Sequence, residues 1–363
     1  MLPLRIISPQ FELLGGIDNH EGLQFTRRHY KIGEFELRIN PNKNLTEKLE
    51  ADNMIILGAD TRKVGVIRHC EISLGEDGTK SETLVIKGYT LKSLLMRRIV
   101  QVDGSGYYRK SDKVETIMKD LVNLNCIAPT DTDRIIPNLV NAIDQQRGGN
   151  GVAQYRYDNL ADAMSDIAAY YDIGWDIWID TVNSKFVFDV VPGRDLTSSQ
   201  EPLPPVIFST EFDNILGQNY IDSALNYKNV AYAGGKGEEE TRLIQKIGTA
   251  TGLDRHEAFL DCSSSETVDE LISNGTKALA DLGKIISFKA DIIPSNSFRY
   301  GVDYFLGDKV TLQSKKWGVT MDARITEIKE IYESSGYKLE ATFGNEVPTI
   351  ASKFNKITKK IIR

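Results

Sequence analysis

The sequence predicts an α+β, β-rich chain of several domains, and three observations carry that prediction. Short runs that alternate apolar and polar residues, or run apolar, recur through most of the chain between turn-forming clusters, as in the hairpins of small barrels and sandwiches. Apolar residues at three- and four-residue steps are confined to a few stretches. The 363 residues exceed the roughly 250 to 300 at which a single core stops growing, so more than one domain is expected.

In order along the chain, FELRI (35–39), MIILG (54–58), VGVIRHCEISL (64–74) and ETLVIKG (82–88) read as strands, with turns at NPNKN and GEDGTK. They define a first β domain, 1–100, closed by a short helix at TLKSLLMRRIV. SDKVETIMKDLVNLNC (111–126) reads as an amphipathic helix capped by Ser111 or Asp112, with Val114, Ile117, Met118, Leu121 and Val122 on its apolar stripe. DNLADAMSDIAAYYDI (158–173) is a second helix, and GWDIWID, a turn at VNSK and FVFDVVPG form a hairpin. These make a small α+β domain, 101–200. SSQEPLPP (198–205) reads as a linker, because its prolines continue neither a helix nor a central strand.

Strand patterns return at NYKNVAYAGG, KIISFKADII, LGDKVTLQ, GVTMDARITEIKEIYE and KLEATFG. They assign 201–237 and 290–350 to a second β domain, split by a helical insertion at 238–289, with a basic tail at 351–363. Asp52 leads into MIILG, KVGVI, CEISLGEDG and LVIKG, and Asp308 leads into VTLQ, KWGVT, RITEIKEIYESSG and LEATFG, in the same order with matching glycines. Either the first block is duplicated in 205–235 plus 290–345, or both meanders share the turn glycines common to such folds.

Composition narrows the function. A formal net charge of -7 without an acidic tail serves solubility and argues against a DNA-gripping surface. The one basic cluster, Lys353, Lys356, Lys359, Lys360 and Arg363, reads as a solvated helix end or tail. Cys70, Cys126 and Cys262 are far apart and form no CxxC pair, so neither a disulfide framework nor a zinc site is expected. The opening MLPLRIISPQFELLGG has no basic region followed by an apolar core, and no run approaches the ~18 to 20 apolar residues of a membrane span. Synthesis in a cytoplasm without export is expected.

The residues offer little chemistry. His20, His29, His69 and His256 make no ligand spacing, and no GxSxG elbow is present. RGGNG (147–151) and AGGKGEEE (233–240) lack the GK[ST] of a phosphate loop and read as loops. Asp172 and Asp176 flank Trp175, with Trp178 nearby, a sugar-site-like cluster. Strand alternation puts Trp175 and Asp176 on opposite faces and favours Trp175 in the core. No catalytic residue, metal or cofactor is expected.

Several phrases together resemble one family. GLQFTRRHYKIGEFELRI, ILGADTRKVGVIRHCEIS and LVIKGYTLKSLLMRRIV resemble the opening domain of siphovirus tail proteins of the Gp37-like group. FVFDVVPGRD, NYKNVAYAGG, GLDRHEAFLDCS and FRYGVDYFLGDKVTLQSKKWGV resemble the same family in order, so the similarity covers nearly the whole chain. The resemblance implies a tail-hub protein at a virion tail tip or baseplate. Each subunit would hold two tail-tube-like β-barrels, and three subunits would ring the tube and join its sixfold symmetry to a threefold tip. Implied partners are further copies of the chain in a homotrimer, the distal tail or tube protein, the tape-measure protein and tip, receptor-binding or lytic proteins. DNA would pass without specific binding.

In that reading FELRI and VTLQ are edges for pairing across subunits. Arg27, Arg28, Gly33, Gly65, Gly307, Asp308, Trp317 and Gly318 are the interface and structural candidates, the glycines as turns or bulges and Trp317 as an apolar anchor. Some family members continue into a long lytic or receptor-binding region, whereas this chain stops soon after its last strands with SKFNKITKKIIR, which places such activities in partners. Two alternatives belong to other classes: a tail-tip hydrolase using Asp172, Asp176 or Glu257, and a carbohydrate-binding module using Trp175 and Trp178.

Overall fold

The structure, a computed structural model, describes residues 2–73, 82–102, 104, 106–294 and 297–344. The turn at GEDGTK and the basic tail lie outside the described residues. The chain divides into two compact units, Met1–Gln218 with Ala290–Thr342, and Asn219–Lys289 with Phe343–Arg363.

The first unit begins with β1 (Leu4–Ile7), β2 (Leu13–Ile17), β3 (Gly22–Arg28), β4 (Glu34–Ile39), β5 (Met54–Leu57), β6 (Val64–Ser73) and β7 (Thr83–Thr90). They pair antiparallel in the order β3-β4-β7-β6-β5-β1-β2. Four of them, β4 to β7, are the strands expected from the alternating runs. Alternate side chains, among them Ile6, Leu23, Phe25, Leu37, Ile39, Ile67 and Ile86, fill one core. Phe35 sits against two strands that have no side chain there. A Cβ at Gly65 would lie 2.5 Å from its ring, and one at Gly88 would lie 1.9 Å from the Val66 carbonyl oxygen. TLKSLLMRRIV forms a 3-10 turn, Leu91–Arg97, with Leu91, Leu94 and Leu95 buried.

The α+β lobe follows with β8 (Tyr108–Lys113), α1 (Val114–Val122), β9 (Leu139–Asn141), β10 (Asn150–Tyr155), α2 (Leu160–Tyr170), β11 (Gly174–Asp180) and β12 (Lys185–Val191). The predicted hairpin is present as β11 and β12, in register Asp180 to Lys185, with β9 added parallel to β12. One expectation is corrected: Ser111 and Asp112 do not cap α1. They lie in β8, paired with Val152 and Gly151 of β10. The first helical N–H groups find other acceptors, because Val114 N donates to Gly149 O at 3.1 Å and Glu115 N to Arg147 O at 3.2 Å. The RGGNG loop therefore serves as the cap. At α2 the Asn159 side chain accepts from Ala161 N and Asp162 N, an ordinary N-cap.

Beyond the lobe, β13 (Asp195–Leu196) and β14 (Ile207–Ser209) flank the proline-rich stretch, and β15 (Ile215–Ser223) leads into the second unit. That unit holds β16 (Val230–Gly234), β17 (Ile244–Ile247), β18 (Glu257–Asp261) and α3 (Val268–Ala280). The stretch 238–289 is therefore not purely helical. IQKI and EAFLD pair on either side of β16, and α3 packs on that sheet through Leu271. Thr267 caps α3 by accepting from Glu270 N at 3.3 Å. The chain leaves through β19 (Ile285–Ile292) and ends the described fold with β20 (Lys309–Ser314), β21 (Val319–Glu333) and β22 (Gly336–Gly344).

Strand β21 sets the architecture of the first unit. Its first part pairs with β20, and its second part, Glu327 to Glu333, pairs with β3 from Arg28 to Gly22. β13 and β14 both ride parallel on β20, so the proline-rich stretch is a loop between two short strands on one neighbour. The β-rich class is as predicted, but no closed barrel appears among the described residues. Closure requires the two ends of a sheet to pair, and here β3 takes β21 as its neighbour while β2 ends the sheet.

Candidate functional site

The seam between β3 and the α+β lobe is built from charges placed by alternation. Arg27 follows Leu23 and Phe25 on the same face of β3, at the end of the strand, and its Nη2 donates to Asp176 Oδ2 on β11 at 3.0 Å. Both side chains are largely buried. Burial works against the Arg27 charge, but Tyr300, Asp176, Asp60 and Glu330 outweigh it and hold the group protonated. Arg28 turns the other way, with Nε to Glu327 at 2.6 Å and Nη2 to Glu34 at 2.8 Å, tying β3 to β21 and β4.

Just beyond β3 the backbone is clamped. Lys92 Nζ donates to the carbonyl oxygens of Arg28, His29 and Lys31 at 2.7, 3.0 and 3.1 Å. Trp175 Nε1 donates to Tyr30 O at 2.8 Å, and its ring, 1% exposed, lies beneath Lys92 at 4.6 Å. Alternation had placed Trp175 in the core, and it is there. On the other flank Arg324 holds Asp172 through Nε at 2.7 Å and Nη2 at 2.8 Å, and Lys309 adds a contact at 2.9 Å. Burial alone would raise the Asp172 carboxyl, but Arg324, Tyr30 and Lys309 together hold it well below the usual carboxylate range.

The structure brings four of the predicted residues to this seam: Arg27, Arg28, Gly307 and Asp308. Gly307, at φ 96, adopts a left-handed conformation, and a Cβ there would meet the His29 ring at 2.4 Å. Asp308 is buried and accepts from Arg194 Nη2 at 2.6 Å and from the backbone N–H groups of Arg194 and Phe305. The others lie elsewhere. Gly33 exchanges hydrogen bonds with Thr90 in the β3–β4 loop, and Gly65 lies under Phe35. Trp317 and Gly318 occupy the turn between β20 and β21, where Trp317 is 43% exposed. Lys92, Arg62, Arg194 and Arg324 escaped sequence reasoning. Lys92 alone carries a signal, a charge within the mostly apolar LKSLLM; Arg62 in ADTRKVG and Arg194 in VPGRDL carry none.

Two sheet regions expose apolar side chains. β2 pairs only with β1 among the described strands, and Leu13 on it is 68% exposed. The second half of β6, Arg68 to Ser73, is exposed at every residue although His69 to Ser73 pair with β7 after an irregularity at Arg68, and Ile72 is 66% exposed. β5 pairs with β6 only over Val64 to Val66, while β7 is held on its far side by β4, so this half of β6 is an edge of the sheet.

The acids considered for hydrolysis are each held by cations: Asp172 by Arg324 and Lys309, Asp176 by Arg27, Glu257 by Arg255. Among the described residues no cluster of His, Cys, Asp and Glu could hold a metal ion, and no helix is long and apolar enough to cross a membrane.

The fold is similar to that of solved tail proteins. The chain is similar to a tail protein from Neisseria meningitidis MC58, with 14% identity, 95% of this chain and 97% of that chain covered, and a TM-score of 0.59. It is similar to the 43 kDa tail protein of prophage MuSo2 from Shewanella oneidensis, with 10% identity, 94% and 98% coverage, and a TM-score of 0.61. The prophage tail protein gp18 from Listeria monocytogenes EGD-e gives 10% identity, 100% coverage of both chains and a TM-score of 0.55. No curated protein matches the chain. The chain belongs to the Siphovirus ReqiPepy6 Gp37-like protein family, whose model matches residues 3–345. It is a phage-tail protein.

Proposed function

We propose that the chain is the hub at the distal end of a phage or prophage-derived tail. Three copies form a ring that caps the tube, adapts sixfold to threefold symmetry and anchors the tip or baseplate proteins. The family match over residues 3–345 carries this reading. The open edge at β2 and the exposed half of β6 supply surfaces of the kind a ring needs.

Its partners in this reading are other copies of itself, the tube protein, the tape-measure protein and the tip, receptor-binding or lytic proteins, at the tail tip of the virion. DNA passes without specific binding, consistent with the net charge of -7. The role is mechanical and not enzymatic. The cation pairing of Asp172, Asp176 and Glu257 supports this, since a glycosidase needs one carboxyl raised to act as an acid.

Immunogold electron microscopy of purified tails, with quantitative mass spectrometry of the same particles, tests the hub. Label confined to the distal end at three copies per tail is expected. Label along the whole tube, or a copy number matching the tube protein, rejects the hub. A murein zymogram of the full chain should be blank, and a clear lytic band would reinstate the hydrolase.

A further inference from the structure

In the second unit the run RHEAFLD (255–261) alternates along β18, so Arg255, Glu257, Phe259 and Asp261 fall on one face and Ala258 and Leu260 on the other. Leu260 joins Ala233 and Ile247 against Leu271 of α3, which makes that the inner face. On the outer face Tyr232 of β16 is in register with Phe259 on one side and with Lys246 of β17 on the other. Two aromatic rings therefore stand side by side towards solvent, Tyr232 38% and Phe259 58% exposed.

Both rings are framed by ion pairs. Gly234, from the AGGKGEEE run, leaves room for Phe259 and Arg242 to lie across β16: a Cβ there would meet Phe259 Cζ at 2.7 Å and Arg242 Nε at 2.8 Å. Arg242 sits 5.4 Å from the Phe259 ring and pairs with Asp261. It also donates to the carbonyl oxygens of Gly235 and Gly234 at 3.1 and 3.2 Å, which fixes its plane. Arg255 lies 6.0 Å from the Tyr232 ring, donates to its hydroxyl at 3.1 Å and pairs with Glu257. Both guanidinium groups are half-buried, while both carboxylates are exposed.

We propose that this face binds a neutral glycan of pyranoses with equatorial hydroxyls, stacked on Tyr232 and Phe259 and hydrogen-bonded by the two ion pairs. Such a sugar presents only C–H groups on its broad faces, which suit an aromatic ring, and a rim of hydroxyls that both donate and accept. Arginine supplies donors and carboxylate supplies acceptors at the edge of each ring, already held in place. The charges point the same way. Arg242 cancels Asp261 and Arg255 cancels Glu257, whereas a nucleic acid needs cations without such partners. A dry protein interface would desolvate both pairs at a cost that sugar hydroxyls avoid. The site is independent of the hub reading.

Saturation-transfer NMR and calorimetry of the full chain with cellotetraose, a neutral chain of equatorial pyranoses, test this. Saturable binding at millimolar sugar is expected, with transfer strongest to the axial protons. In Phe259→Ala the affinity should fall about tenfold, and in Phe259→Tyr, which keeps the ring, it should stay within about threefold. Phe259 is more than half exposed, so both variants should fold, and an unchanged circular dichroism spectrum checks this. Absence of cellotetraose binding, or equal affinity in Phe259→Ala, overturns the proposal. So does binding of a single-stranded oligothymidylate, or self-association in sedimentation, that Phe259→Ala abolishes, since the face would then serve nucleic acid or a second copy.

Discussion

Replacing Arg27 by Met isolates the energetics of the seam. The change keeps the length of the stem and removes the guanidinium that donates to Asp176 at 3.0 Å. Asp176 is then left with Arg62 at 3.7 Å, while its own side chain stays 12% exposed. Removing one partner of a buried ion pair costs about 3 to 5 kcal/mol, because the other charge remains desolvated. Here both side chains keep some exposure and Arg62 supplies partial compensation, so the lower end, about 3 kcal/mol, is expected. At roughly 2 °C per kcal/mol for a domain of this size, the melting temperature falls about 6 °C.

Thermal unfolding followed by circular dichroism reads the shift, and hydrogen exchange locates it. Peptides covering β3 and β11 should lose protection, while those covering β16 to β18 should not. The double variant Arg27→Met, Asp176→Leu removes both charges and should recover at least half of the loss. A single-variant loss below about 1 kcal/mol, or a double variant no more stable than the single, would refute the argument that the pair is effectively buried.

Three further outcomes are expected. Burial raises the Glu115 carboxyl, but hydrogen bonds from Arg147 and Lys119 outweigh this and push it down from 4.5 to about 2. Its stabilisation is therefore present above pH 4.5 and fades as pH falls towards 2, so urea midpoints of wild type and Glu115→Gln should differ most near pH 6, draw together as pH falls below 4.5 and converge only below about pH 2. Gly88→Ala should cost at least about 2 kcal/mol, because its Cβ would press on the Val66 carbonyl in the β6–β7 ladder. Gly149→Ala, with open space around it, should stay within about 0.5 kcal/mol in the same denaturation series.

Much of this fold was legible because its strands obey a period of two. FELRI, VGVIRHCEISL and the hairpin around GWDIWID gave themselves away by alternation, and the heptad-like stripe of α1 gave its helix. What stayed hidden depends on distant partners. β2, LLGGI, carries two glycines, and β3, GLQFTRR, is mostly polar, so neither signals a strand until β1 or β21 lies beside it. The cap of α1 could not be read from Ser111 and Asp112, because the acceptors come from a loop more than thirty residues away, roughly two elements further on. The same holds for the seam. Arg27 and Asp308 were singled out by family resemblance, but Lys92 and Arg324 were not, because a cation stabilised by backbone carbonyls or by a remote Asp leaves no local spacing.

The pairing of β3 with β21 governs how this chain is made. Arg28 and Glu327 are 299 positions apart, so closing that loop costs about 5 kcal/mol by the 1.5RT ln n rule before any ladder hydrogen bond forms. Such long-range contacts slow folding. During translation the N-terminal strands can pair among themselves, but one side of β3 waits until the ribosome has released Glu333. For that interval a nascent tail protein displays an unsatisfied row of N–H and C=O groups, and a premature encounter between two such chains on one messenger would be a misfolding route.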